Sequence, residues 1–205
     1  MSPHKGGRRA IAIAGHTGDA DTARAGLSDA RGDVRATALG ALQRLGEVGD
    51  DELAAGLVDD DGIVRRRAAE LAAGHPAVDL LPALADSDPA VVEAAAWACG
   101  EREVVSEDAL AALIGLAGGE HAGAEPLVRE SAVAALGAIG DDRGLDAILA
   151  ATSDKPAIRR RAVLALAPFL DPDHPRADEV ATAIDRALTD RDWQVRQAAE
   201  DLNRH

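Results

Sequence analysis

The chain has 205 residues and a mass of 21.1 kDa, and its 47% hydrophobic and 28% charged residues argue against wholesale disorder. Its net charge of −14, from 22 Lys+Arg against 36 Asp+Glu, argues against a protein that mainly holds nucleic-acid phosphates or an anionic membrane. Aromatic residues make up only 1% and alanine is abundant, which predicts an all-α protein of closely packed helices.

The start of the chain predicts a flexible tail over residues 1–7. This segment is basic, and because no long apolar run follows it, we expect neither a signal peptide nor a membrane span. The single cysteine, Cys99, lies in an apolar helical run and is predicted to be a buried side chain in a reducing compartment. We therefore expect a cytoplasmic protein.

The first predicted element is a helix over residues 8–14, which we interpret as the second helix of an incomplete repeat. It is followed by the motif GHTGD (residues 15–19), which matches GEVGD (residues 46–50) and GAIGD (residues 137–141). The stretch 11–19 also suggests a strand and a nucleotide-binding turn. It lacks G-x-G-x-x-G and no βαβ pattern follows, so the repeat interpretation is favoured.

Beyond this half repeat, one motif recurs six times. A Val or Ile, called the anchor below, is usually followed by Arg and has an Ala four residues later. The anchors are spaced 30, 27, 37, 30 and 37 residues apart, at Val34, Val64, Val91, Val128, Ile158 and Val195. Apolar residues recur four, eight and often eleven residues after the anchor, which predicts an amphipathic helix in each copy.

Capping residues place each of these helices as the second arm of a helical hairpin. Asp can cap the helix start and Pro suits its first position, at Asp61, Asp88, Asp192, Pro89, Pro126 and Pro156. Glycines are predicted to close the helices and open the turns, at Gly46, Gly49, Gly137 and Gly140. We count six full hairpins and a leading half, about thirteen helices. Because one hairpin cannot bury its apolar face alone, the copies are expected to stack into an α-solenoid.

The D-x-x-V-R-x-x-A core of this pattern resembles the HEAT repeat superfamily, in particular the short HEAT-like repeats named after phycobilin (PBS) lyase subunits. The resemblance covers about residues 8–204 and implies a single HEAT-like repeat domain over residues 8–205. It marks the fold more specifically than the function, because members include scaffolds, chromophore lyases, hydroxylases and DNA-repair proteins.

The arginines that directly follow the anchors are together called the arginine ladder below, and their role has two interpretations. The ladder comprises Arg35, Arg65, Arg129, Arg159 and Arg196. The ladder could be a row of anion receptors. The favoured interpretation pairs each arginine with an aspartate near the turn of its own or the next repeat, such as Asp29, Asp59 or Asp190. The third repeat has Val92 instead, so one rung should be missing there.

Five further residues are candidate binding residues, because the repeat does not require them: Arg66, Arg67, Arg160, Arg161 and Trp193. The four arginines lie in the first turn of a helix, where the macrodipole mildly disfavours a cation. They are either solvated charges answered by nearby acids or a contact for an acidic partner. Trp193 either contacts a partner or covers the end of the last repeat. Trp97 is predicted to lie in the core.

Metal-site candidates are explained better by turn chemistry. The run from Asp59 to Gly62 lacks the spacing of a calcium loop, and Asp171, Asp173 and His174 are typical of a turn. The long loops at residues 118–125 and 170–177 are either part of a binding face or longer connections without a binding role. We predict no metal and no cofactor.

The possible functions can be distinguished by the residues that each of them requires. No His is followed by Glu, as di-iron HEAT-repeat hydroxylases require, and a single cysteine does not suit iron–sulfur chemistry. We therefore expect a non-catalytic scaffold for an unidentified protein or peptide, with no membrane role. An accessory or lyase-type subunit related to bilin lyases and a HEAT-like nucleic-acid-binding protein stay as alternatives, although the charge and the few rings disfavour nucleic acid.

Overall fold

The computed structural model describes residues 7–118 and 125–204, and these ranges contain thirteen α-helices. Of the tail predicted at residues 1–7, all but Gly7 lies outside the described residues. The chain divides into two compact units, Met1–Ala98 and Cys99–His205, and the boundary falls within one helix. The single repeat domain expected over residues 8–205 stays a prediction.

In the first unit, second helices of successive hairpins form one layer and first helices pack against them. The helices that begin in this unit are α1 (Gly7–Thr17), α2 (Ala20–Ala25), α3 (Gly32–Leu45), α4 (Asp50–Leu57), α5 (Gly62–Leu71), α6 (Leu81–Leu84) and α7 (Pro89–Gly100). Helix α3 packs between α1 and α5, while α2 packs on α3 and α4 packs on α5. Because α1 occupies the place of a second helix, the predicted leading half repeat is confirmed.

The second unit repeats this arrangement. Its helices are α8 (Glu107–Gly118), α9 (Pro126–Ile139), α10 (Leu145–Ala151), α11 (Pro156–Ala165), α12 (Ala177–Leu188) and α13 (Trp193–Leu202). Helix α11 packs between α9 and α13, and each first helix packs on the second helix of its own hairpin. The fold is therefore that of an α-solenoid, in which hairpins stack on their neighbours along the chain.

The repeat motif builds the core. All six anchors are at most 3% exposed, and the alanines four residues after them are fully buried. The largest buried side chains beside them are mainly Leu and Ile, with Phe169 as the buried ring. The small alanines let helices approach closely, which explains how a chain with so few rings still fills its interior.

The predicted helix starts are confirmed. The Asp61, Asp88 and Asp192 carboxylates each accept the backbone N–H two residues later, at 2.9–3.0 Å. The three prolines open α7, α9 and α11 at the first helical position, where the missing N–H leaves no bond unmade.

The glycines divide into two kinds. Gly18, Gly46 and Gly140 have φ of 83°, 70° and 67°, so they end α1, α3 and α9 in the left-handed region that favours glycine. The prediction that Gly137 closes a helix is wrong, because it lies inside α9. A Cβ there would come within 2.6 Å of the Ala165 Cα, so this glycine allows α9 and α11 to touch.

We expect Gly137→Ala to destabilise the protein by about 1–3 kcal/mol, because the backbone of α11 cannot yield to the added methyl group. Gly40, inside α3, is the matched control, since a Cβ there would meet only the flexible end of Arg67. Gly40→Ala should be neutral or stabilising by up to about 1 kcal/mol through helix propensity. Urea unfolding midpoints measure both, and equal stabilisation by the two substitutions would contradict the close contact at Gly137.

Candidate functional site

The ladder arginines of the first unit pair with aspartates of the following repeat. Arg35 reaches Asp59 in two parallel hydrogen bonds, Nε to Oδ2 at 2.8 Å and Nη2 to Oδ1 at 2.5 Å. Arg65 reaches Asp86 in the same way, at 2.6 and 3.0 Å. Two-pronged pairs of this kind fix the guanidinium in orientation as well as distance.

The second unit contains the same rungs. Arg159 makes a two-pronged pair with Asp190, at 2.9 and 2.7 Å, and Arg129 hydrogen-bonds to Asp154 through Nη2. Val92, in the repeat without a ladder arginine, is buried and supplies no donor.

Most of the ladder arginines also hold the turn of their own repeat. For four of them, Arg35, Arg65, Arg159 and Arg196, Nη1 donates to a main-chain carbonyl six residues earlier, or five for Arg159, at 2.7–2.9 Å. The accepting carbonyls belong to Asp29, Asp59, Asp154 and Asp190. One aspartate therefore binds the arginine of the preceding repeat through its carboxylate and that of its own repeat through its carbonyl. Arg35, Arg65 and Arg159, with three or more hydrogen bonds each, are thus engaged in stacking and have little donor capacity left for a ligand.

We expect Arg159→Ala to cost about 3 kcal/mol of unfolding free energy, at the low end for a broken buried pair, since the Arg159 and Asp190 side chains are 8% and 16% exposed. Arg196 is the matched control. Among the described residues it donates only to the Asp190 carbonyl, so Arg196→Ala should cost about 1 kcal/mol. Urea unfolding measures the difference. Equal losses would contradict a stabilising role for the ion pair between repeats.

The ladder makes stability depend on pH. A guanidinium that hydrogen-bonds to the charged carboxylate lowers the pKa of Asp59, Asp86 and Asp190 below the ordinary value. A carboxyl whose pKa is lower in the folded state stabilises the protein above its unfolded pKa. That contribution is lost as the pH falls from about 4 through the folded pKa.

Asp86→Asn tests this dependence, because it keeps an oxygen for the Asp88 N–H but removes the charge that pairs with Arg65. The unfolding free energy of the variant should fall below that of the wild type at pH 7, and the difference should shrink as the pH drops below about 4. Denaturant titrations at several pH values measure it. Asp60→Asn, at an exposed carboxylate, is the control and should change little. A difference for Asp86→Asn that persists undiminished in acid would exclude the ion pair as its source.

The extra arginines of the first unit line a groove over α1, α3 and α5, called the cationic groove below. Its volume is about 640 Å³, and four arginines face two acids in its lining: Arg8, Arg44, Arg66, Arg67, Asp33 and Glu70. Sequence reasoning found Arg66 and Arg67 but missed Arg8 and Arg44. Arg8 lies in the first turn of α1, in the incomplete leading repeat, and Arg44 lies in the last turn of α3. Neither occupies the positions just after an anchor that drew attention to Arg66 and Arg67.

Glu70 positions two of these arginines. Its carboxylate accepts from Arg66 Nε at 3.1 Å and from Arg67 Nη1 at 3.0 Å. The Arg67 side chain then lies over Gly40, where an added Cβ would come within 2.8 Å of Nη2. At Gly15 an added Cβ would first meet the Ala41 Cα at 2.8 Å and would come within 3.0 Å of Arg44 Nη2. Arg44 has no acidic partner within the described residues.

The other candidate arginines lie in the second unit. Arg161 approaches Glu130 at 3.5 Å, and Arg160 is half-buried without an ion pair to any described residue. Each pair of extra arginines thus lies in its own unit, and the first pair lines one groove with two further arginines, Arg8 and Arg44.

Both tryptophans are exposed. Trp193 opens α13 with 65% of its surface exposed, and Trp97 is 46% exposed, so the prediction that Trp97 lies in the core is wrong. Trp97 comes six residues after its anchor. At about 100° per residue, this position lies about 240° around the helix axis from the anchor, outside the stripe of buried residues.

The candidate metal residues make turn contacts. The Asp171 carboxylate accepts the Asp173 N–H at 2.9 Å, while His174 Nε2 lies 3.1 Å from Asp142. In residues 7–118 and 125–204, no three His, Cys, Asp or Glu side chains are grouped to hold a metal ion. Most of the loop at 118–125 lies outside the described residues.

The structure shows no helix, in the part of the chain it describes, that is both long and apolar enough to span a bilayer.

Comparison with known proteins identifies the family. HEAT repeats match residues 77–167 and 121–202, together more than half of the chain, and the chain belongs to the HEAT-repeat family. No curated protein matches its sequence. Among solved structures, an engineered protein is similar, with a TM-score of 0.63 and 18% identity over 90% of this chain and 94% of that one. Human deoxyhypusine hydroxylase in complex with glycerol gives a TM-score of 0.47 and 20% identity, over 95% and 75%.

Proposed function

We propose that the chain is a non-catalytic scaffold that binds another protein through the surface of its repeats. The observation that carries this proposal is the exposure of Trp97 and Trp193 in a chain with only three aromatic residues. Tryptophan is enriched among the residues that dominate binding energy at protein interfaces. In a chain with so few aromatic residues, two exposed tryptophan rings are better explained by contact with a partner than by packing between the repeats.

Membership of the HEAT-repeat family supports the same proposal, because HEAT repeats generally serve as protein-interaction modules. The ladder supports it as well. Most of its arginines are engaged in bonds between repeats. The side chains that vary between repeats would therefore determine which partner binds. The non-enzymatic role, the relation to PBS lyase repeats and the cytoplasmic location stay predictions from the sequence.

Affinity capture of the tagged protein from its own lysate tests the scaffold, with Trp97→Ala and Trp193→Ala beside the wild type. We expect one stoichiometric protein partner, with recovery reduced at least tenfold by one tryptophan variant, as at an interface hot spot. Circular dichroism checks that each variant is folded.

Val104→Ala is the control, because Val104 is 80% exposed yet not aromatic, and it should leave recovery unchanged. Equal recovery with both tryptophan variants would refute the role of the exposed rings. Nucleic acid that co-elutes and is lost at high salt would favour the nucleic-acid-binding alternative instead.

A further inference from the structure

We propose that the cationic groove binds a short acidic peptide segment of a protein partner, with Arg44 and Arg67 contacting its carboxylates. This inference rests on the proposed scaffold function and assigns it a site and a ligand class. The groove reverses the sign of its surroundings, because four arginines face Asp33 and Glu70 in a chain of net charge −14. A local excess of positive charge selects a ligand of the opposite sign.

Gly40 indicates that Arg67 is placed for more than stacking. The other repeats have larger residues at this position, six after the anchor: Glu70, Trp97, Ala134, Leu164 and Asp201. The glycine is therefore not demanded by the repeat. Its missing Cβ leaves room for the Arg67 guanidinium, whose Nη2 would lie 2.8 Å from an added Cβ.

Both central arginines have donors to offer a ligand. Arg67 makes one side-chain hydrogen bond among the described residues, to Glu70 at 3.0 Å, out of the five that a guanidinium can donate. Arg44 is exposed and makes none to the described residues. A carboxylate can accept two parallel bonds from such a group, which gives it direction as well as charge.

The size of the groove favours a peptide over nucleic acid. Its volume of about 640 Å³ lies within the range of small-ligand sites, so it admits a few residues at a time. A duplex carries one charge about every 1.7 Å and would extend beyond the groove over a protein whose net charge is −14. A short peptide can keep its carboxylates inside. Ile63, exposed at the rim, offers an apolar contact between them.

Trp97 extends the same face. It occupies the repeat position of Gly40 and Glu70, so it lies on the corresponding side of its own second helix. Trp97 belongs to the same compact unit as the groove, so the acidic segment and the aromatic contact can belong to one partner.

Fluorescence anisotropy with the full chain tests the proposal. The probe is a labelled ten-residue peptide that alternates Glu with Leu, and a peptide with Lys in place of Glu is its negative control. We expect saturable binding of the Glu peptide that weakens at high salt. Arg67→Ala and Arg44→Ala should each raise Kd at least tenfold, whereas Arg160→Ala, in the other unit, should leave it unchanged.

Gly40→Ala separates a placed arginine from a merely nearby one. It should raise Kd about as much as Arg67→Ala without lowering the urea midpoint, because it displaces the guanidinium but keeps the charge. An unchanged Kd for Gly40→Ala and Arg67→Ala, or tighter binding of a labelled 16-base-pair duplex through the same arginines, would overturn the proposal. Tryptophan-dependent capture that persists without peptide binding would overturn the groove alone and leave the scaffold standing.

Discussion

The structure depends on one interaction, the ion pair between an arginine of one repeat and an aspartate of the next. The aspartate is engaged three times at several turns, as Asp59 and Asp190 show. Its carboxylate binds the preceding arginine, the same carboxylate accepts the N–H two residues later, and its carbonyl binds the arginine of its own repeat. One residue thereby fixes the turn, the helix that follows and the neighbouring hairpin. The arginine side chain is mostly shielded from water, so breaking the pair would leave a largely buried charge without its partner and would destabilise the fold.

The scarcity of aromatic residues has a structural consequence. Alanine at the position four residues after each anchor, and glycine where second helices meet, allow a close approach that larger side chains would prevent. The core is thus filled by Leu, Ile, Val and Ala with one buried ring, Phe169. Both tryptophans lie at the surface instead, where they can contact another molecule.

Comparing the repeats with one another separates side chains that build the stack from those that do not. The anchor, the alanine and the ladder arginine recur because each hairpin needs the same contacts with its neighbours. Gly40, Arg67 and Trp97 occupy positions at which the other repeats differ. The repeat motif does not require them, and all three lie on second helices of the first unit. Such positions are where a repeat protein acquires a function that its fold does not specify.

The repeat period, the helix starts at Asp61, Asp88 and Asp192, and the resemblance to HEAT repeats could all be predicted from the amino-acid sequence. These features are local or link neighbouring hairpins, so a linear pattern encodes them. Three further features became visible in the three-dimensional structure: Gly137 lies where two helices touch, Trp97 is exposed, and Arg8 and Arg44 line one groove with Arg67. These facts depend on the directions of side chains on three separate helices and on how closely their backbones approach. Neither quantity follows from spacing along the chain.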